Sequence, residues 1–214
     1  MPVIAKICGL STPETVRAAL DGRAGYVGFN FFPKSPRYVT PEAAARLAEP
    51  ARAKGVKVVA VTVDPSDALL ETLREVLKPD LIQLHGKETP SRTWEAALKA
   101  NAGAIKVISV SSANDLDQAA QYEAVTEHLM FDAKTPKDAD LPGGMGVRFD
   151  WTMLAGRKFA RPWFLAGGLD PWNVAEAVTL SGAPMVDVSS GVERGAGCKD
   201  PALISAFLQA VRRT

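Results

Sequence analysis

"MVDVSS", residues 185–190, is an apolar, β-branched run that ends in two serines, and the helix-patterned "PALISAFLQAV", residues 201–211, follows it. Seven earlier runs share its character: "VIAKIC" (3–8), "YVGFNF" (26–31), "VKVVAVTV" (56–63), "DLIQLH" (80–85), "AIKVISV" (104–110), "HLMFD" (128–132) and "PWFLAG" (162–167). Segments of helical period lie between them. "PETVRAAL" places Val16, Ala19 and Leu20 on one face, and "DALLETLREVL" does so with Leu69, Leu70, Leu73, Val76 and Leu77. The last segment repeats the pattern with Leu203, Ile204, Phe207, Leu208 and Val211. Proline in the first turn after Thr12, Thr40, Asp170 and Asp200 marks helix starts. Strands alternating with helices specify a parallel sheet. An eighth strand with its own helix after it predicts closure, hence an α/β fold consisting of a single (β/α)8 TIM barrel over residues 1–214. An open doubly wound sheet is the alternative, but no Gly-x-Gly-x-x-Gly follows any of the runs, and "GGMG" (143–146) has the wrong spacing. A sixth helix is expected near "VRFDWTML".

Composition narrows the function classes. A formal net charge of +1 over 214 residues offers no electrostatic basis for binding nucleic acid. Cys8 and Cys198 are the only cysteines, which is neither a disulfide framework nor a zinc-ligand pattern. No apolar run approaches the roughly 20 residues of a membrane span, and Lys6 interrupts the first run where a signal peptide would continue. The expectation is a cytoplasmic protein with no nucleic-acid or membrane partner.

In such barrels the working residues sit at the C-terminal ends of the strands and in the loops that follow. Here those positions hold Cys8 with Gly9, Asn30, Phe32 and the "PKSPR" that ends in Arg37, then Asp64, Gln83, His85, Ser109, Ser111 and Asp132. Gly167 and Gly168 follow the seventh run, and Asp187, Ser189, Ser190 and Gly191 close the eighth. Small residues in those last two loops let backbone N–H groups approach phosphate oxygens, with a helix dipole in support. A phosphorylated small molecule is therefore the expected ligand. Only His85 and His128 are available as histidine ligands, so no metal site is expected.

"KICG" (6–9), "GFNFFPKSPRYV" (28–39), "QLHG" (83–86), "FDAK" (131–134), "GGMGVRFDW" (143–151), "LAGGLDPWNV" (165–174) and "VDVSSGVERGAGCKD" (186–200) together resemble the phosphoribosylanthranilate isomerases of tryptophan biosynthesis, from Ala5 to about Phe207. The resemblance implies an Amadori rearrangement of N-(5-phosphoribosyl)anthranilate to 1-(2-carboxyphenylamino)-1-deoxyribulose 5-phosphate, with neither metal nor organic cofactor. It implies Cys8 as general base, Asp132 as general acid, and Arg37 on the anthranilate carboxylate. It further implies substrate contacts from Asp187, Gly144, Gly167, Gly168, Ser189, Ser190 and Gly191. The partner is then a small phosphosugar-anthranilate, bound by a monomer or a homodimer. Two alternatives stand beside it. A dual histidine/tryptophan-pathway isomerase is expected to carry aspartate where Cys8 stands. A non-catalytic phosphosugar-binding barrel would have lost the acid–base pair.

The chemistry sets conditions on these residues. A thiol, pKa roughly 8.5, works as a base only where something favours its thiolate. A carboxylic acid, pKa roughly 3.9, works as an acid at neutral pH only where burial raises it. The bland readings are a cysteine packed as a small hydrophobe, a capping aspartate, and a surface arginine. Alternation also puts Lys6 on the same face as Cys8, inside the barrel. A lysine there needs a partner, and closure makes Asp187 the neighbouring candidate. A Lys6–Asp187 pair beneath Cys8 is the expected arrangement, with the ammonium favouring the thiolate.

Overall fold

The computed structural model describes residues 2–134 and 146–214. Eight parallel strands, β1 (Ile4–Cys8), β2 (Tyr26–Asn30), β3 (Lys57–Thr62), β4 (Leu81–Leu84), β5 (Gly103–Val110), β6 (His128–Ala133), β7 (Trp163–Leu165) and β8 (Met185–Val188), pair in chain order, and β8 returns to β1. The sheet is thus a closed (β/α)8 barrel. Alternation divides its side chains. Val59, Val61, Leu81, Ile105, Val107, Met130 and Phe164 fill the interior with Cys8 above them. Ile7, Val27, Phe29, Phe131 and Val186 face outward into the layer shared with the helices.

The helices are α1 (Pro13–Asp21), α2 (Pro41–Ala53), α3 (Asp67–Thr72), α4 (Pro90–Ala100), α5 (Ala119–Tyr122), α6 (Val174–Ser181) and α7 (Pro201–Val211). Four of them, α1, α2, α4 and α7, begin with proline behind a capping Thr12, Thr40, Thr89 or Asp200, whose side chain accepts a first-turn N–H. This is the favoured use of proline, where its missing donor costs nothing. A small antiparallel hairpin, β9 (Glu193–Gly195) with β10 (Cys198–Lys199), follows β8. Among the described residues no helix is long and apolar enough to cross a membrane.

The structure departs from the sequence pattern at three places. Pro171 does not open α6. Asp170 accepts from the N–H groups of Trp172 and Asn173 in a preceding turn, and the helix starts at Val174. No sixth α-helix forms near "VRFDWTML"; that segment holds only a single 3-10 turn, Trp151–Leu154, with both end residues buried. Helix α3 widens into a π-helical turn, Leu73–Leu77, closed by Lys78 N–H to the Leu73 carbonyl at 2.8 Å. The extra residue rotates the face, so Leu77 is buried (1%) and Val76 is 37% exposed. Accordingly, Leu77→Ala is expected to cost about 2–5 kcal/mol. Val76→Ala should stay within about 0.5 kcal/mol in the same urea titration, and equal costs would contradict this register.

Candidate active site

The C-terminal ends of the strands surround one cleft, lined by Cys8, Arg37, Gln83, His85, Asp132, Gly167, Gly168, Asp187, Ser189 and Ser190 among others. Nearly all of the substrate-facing positions read from the sequence meet there. Gly191 does not line it; a side chain at Gly191 would collide with the Leu169 carbonyl, so this glycine lets the loops after β7 and β8 pack together. Gly144 lies outside the described residues. Asp64, Ser109 and Ser111 are not among the lining residues.

Cys8 ends β1 and is buried, followed by Gly9 in the left-handed region at φ +76°. A Cβ at Gly9 would sit 2.7 Å from Cδ of Arg37, so the glycine lets the arginine stem cross the strand end next to the thiol. That accounts for the Cys-Gly step. Lys6, fully buried, lies opposite Asp187 in the β1–β8 register and donates from Nζ to Oδ1 at 2.8 Å. Burial pushes the ammonium down, but the Asp187 and Cys8 charges and the hydrogen bonds to both side chains together outweigh it, and the Lys6 pKa is raised. The expected pair beneath Cys8 is present. Its effect on the thiol is only partial, however. Burial pushes the Cys8 pKa up, and the opposing pull of the Lys6 and Lys199 charges does not overcome it. Lys6→Met should therefore raise it further, read as the midpoint of Cys8 alkylation rate against pH in folded protein. An unchanged midpoint would confine Lys6 to neutralising Asp187.

Asp132 on β6 is 7% exposed, and burial, helped by the nearby Asp187 charge, pushes its carboxyl up to about 7. Gly167 makes this burial possible. Its φ is +88°, and a Cβ there would approach Asp132 Oδ1 to 2.9 Å and the Ala133 N to 2.7 Å. Across the mouth His85 Nε2 lies 3.4 Å from Asp132 Oδ2. Burial, with the Lys106 and Lys6 charges, pushes His85 down to about 4, so it is neutral at pH 7. The contact is too long for a strong hydrogen bond, and among the described residues Nε2 has no other partner. We read it as two groups held near their uncharged forms rather than as an ion pair. Gln83, two residues before His85 on the same face, also presents a buried Oε1 without a partner among the described residues. Unpaired polar atoms of this kind in a cleft are ready to meet a ligand.

Arg37 is 6% exposed, which rules out a surface cation. Its Nε and Nη2 donate to Glu193 Oε1 and Oε2 at 2.7 and 2.9 Å. Ser189 follows β8, and Ser190 opens a 3-10 turn of only three residues, Ser190–Val192. So short a turn has little dipole, and any anion there would rely on individual N–H and hydroxyl groups instead. Glu193 and Lys199, part of "VERGAGCKD", were not legible as site residues, because the hairpin that carries them has no periodicity to read.

Comparison with known proteins follows the same lines. The family model described as N-(5'phosphoribosyl)anthranilate (PRA) isomerase matches residues 5–210. An N-(5'-phosphoribosyl)anthranilate isomerase of Caulobacter vibrioides is 66% identical over 209 residues, 98% of this chain and 95% of that protein. The crystal structure of phosphoribosyl anthranilate isomerase from Thermotoga maritima superposes with a TM-score of 0.86 at 32% identity, covering 99% of this chain and all 100% of that one. Another solved isomerase, in complex with reduced 1-(o-carboxyphenylamino)-1-deoxyribulose 5-phosphate, gives 0.83 at 30% identity, with 99% and 100% covered. Barrel, cleft and sequence agree that this chain belongs to the N-(5'-phosphoribosyl)anthranilate isomerase family.

Proposed function

We propose that this isomerase of tryptophan biosynthesis carries out its reaction as an Amadori rearrangement, with Asp132 as general acid and Cys8 as general base. The observation that carries the assignment is that one cleft holds a carboxyl pushed up to about 7 and a thiol at the end of the opposite wall. Asp132 donates its proton to the furanose ring oxygen, and the C1′–O bond breaks to give the open-chain Schiff base. Cys8, as thiolate, removes the proton from C2′, and the electron pair moves to give the enolamine. Ketonisation at C2′ with protonation at C1′ yields the deoxyribulose product. Redox balance is internal: C1 is reduced as C2 is oxidised, so no external electron carrier is needed.

The binding roles follow the chemistry of each wall. Arg37, with its guanidinium plane fixed by Glu193, takes the anthranilate carboxylate, for which a planar fork is suited. Backbone N–H groups at Gly167, Gly168, Ser189 and Ser190 take the phosphate, with Gly191 supporting them. Asp187 orients the sugar while neutralising Lys6. The ligand held by the related isomerase, a reduced deoxyribulose phosphate bearing a carboxyphenylamino group, has both anionic ends that this arrangement requires. The test is the loss of phosphoribosylanthranilate fluorescence with purified protein, metal-free and without added cofactor. Persistence of the signal would refute the assignment.

A further inference from the structure

Lys199 is a buried cation that the reaction above does not use. Its side chain is 0% exposed, and its Nζ donates to the Ser189 carbonyl at 2.8 Å, to Ser189 Oγ at 3.2 Å and to Glu193 Oε1 at 2.6 Å. Glu193, 4% exposed, therefore serves two cations, since the same Oε1 accepts from Arg37 Nε while Oε2 accepts from Arg37 Nη2. Burial works against its charge, yet Arg37 and Lys199 hold its pKa below the ordinary carboxylate value. A second tie runs through the turn of the hairpin. Gly197 has φ +79°, and a Cβ there would lie 2.5 Å from the Pro36 carbonyl, so the turn sits directly on the peptide that precedes Arg37. Its N–H also donates to Glu193 Oε2 at 3.2 Å.

These contacts join two loops that the barrel separates. Ser189 follows β8 directly, Arg37 lies in the loop after β2, and β9–β10 crosses from one to the other over β1. A buried ion network is a poor way to gain stability, because desolvation consumes most of the attraction. It is a good way to fix distances, because each partner has one low-energy position once buried. A small misplacement of a substrate-holding group is costly to a reaction that depends on orientation.

We propose that Glu193 and Lys199 are positioning residues, and that the β9–β10 hairpin is a strap setting the spacing between the anthranilate end of the cleft at Arg37 and its phosphate end at Ser189. The inference rests on the reading of those two ends given above. Both act through other side chains and touch no reacting atom.

The experiment is a double-mutant cycle on Arg37→Ala and Glu193→Gln, with Lys199→Met alongside, all checked by thermal melting. Product affinity, KM and kcat are measured, with inorganic phosphate as a competitive probe of the phosphate end alone. Glu193→Gln should raise KM and weaken product about tenfold or more, leaving kcat within about threefold and phosphate competition within about twofold; in the Arg37→Ala background it should add less than about threefold, as expected of residues acting through one another. Lys199→Met should weaken product and phosphate together. If Glu193→Gln does not fold, Glu193→Asp, which keeps the charge and shortens its reach, is carried through the same cycle. Additive effects, or a loss confined to kcat, would overturn the strap. An Arg37→Ala variant that binds product as tightly as wild type would overturn the reading of Arg37 itself, and the strap with it.

Discussion

Asp132→Asn is expected to remove turnover and, at neutral pH and above, to make the protein more stable. The activity loss should be about 10²–10⁴-fold in kcat/KM, the usual worth of a positioned acid. The amide keeps the shape of the carboxyl but has no proton to give. The stability gain follows from linkage. An ordinary aspartate, pKa roughly 3.9, loses its proton in the unfolded chain well before the folded one does, since burial holds the folded group to about 7. A folded-state pKa raised in this way contributes stability that is present below about pH 4 and is lost as pH climbs through 7. Removing the titration recovers on the order of 2–3 kcal/mol at pH 7 and above, after allowance for burying the amide. In a chain of this size that is roughly 4–10 °C in Tm.

His85 makes the prediction sharper because its shift has the opposite sign. Its folded pKa is about 4 against an ordinary value of roughly 6.5, so its contribution is present above pH 6.5 and lost as pH falls through 4. In the wild type the two slopes largely cancel between pH 4 and 7. Asp132→Asn should expose the His85 slope, with stability rising across that window, whereas His85→Asn should expose the Asp132 slope and reverse it. Chemical denaturation at several pH values reads both. A wild type and Asp132→Asn pair with parallel stability profiles would mean that the carboxyl is ionised in the folded protein, and Asp132 could not then serve as the acid.

Much of this was legible in the sequence, and the reason lies in the barrel itself. Each strand is buried on both faces, so it appears as a β-branched run long enough to stand out, and all eight do. Closure then converts strand order into neighbours. It placed Lys6 against Asp187, 181 positions away, from alternation alone. Legibility failed where no period governs. The π-turn at Leu73–Leu77 adds one residue to a helix that otherwise reads as regular, so Val76 was put on the wrong face. Pro171 resembles the helix-opening prolines, yet Asp170 spends its carboxylate on the turn before α6. Contacts across the mouth are the hardest to foresee. His85, after β4, meets Asp132 on β6 across the intervening β5, and Glu193 meets Arg37 through a hairpin whose turn packs Gly197 on Pro36.

Cys8→Ser is expected to match the Asp132→Asn activity loss, about 10²–10⁴-fold in kcat/KM, and to change the shape of the pH profile in a way that identifies the base. On the roles proposed above, the productive free enzyme holds Asp132 protonated and Cys8 ionised. Yet Asp132 has the lower pKa, about 7, and burial has pushed the thiol above its ordinary value. Below pH 7 the acid is in place and the thiolate fraction grows tenfold per pH unit, so activity rises. Between the two pKa values the growing thiolate fraction is offset by the shrinking supply of protonated Asp132, and activity is level. Above the thiol pKa only the loss of the acid remains, and activity falls. Such a profile places an acid limb near 7 even though the group titrating there is the general acid, and the two midpoints belong to the pair rather than to either residue. A serine hydroxyl ionises far above this range, so Cys8→Ser should retain the limb near 7 and lose the fall at high pH. A Cys8→Ser enzyme with more than about a tenth of wild-type kcat/KM, or with the alkaline fall intact, would transfer the base to another group.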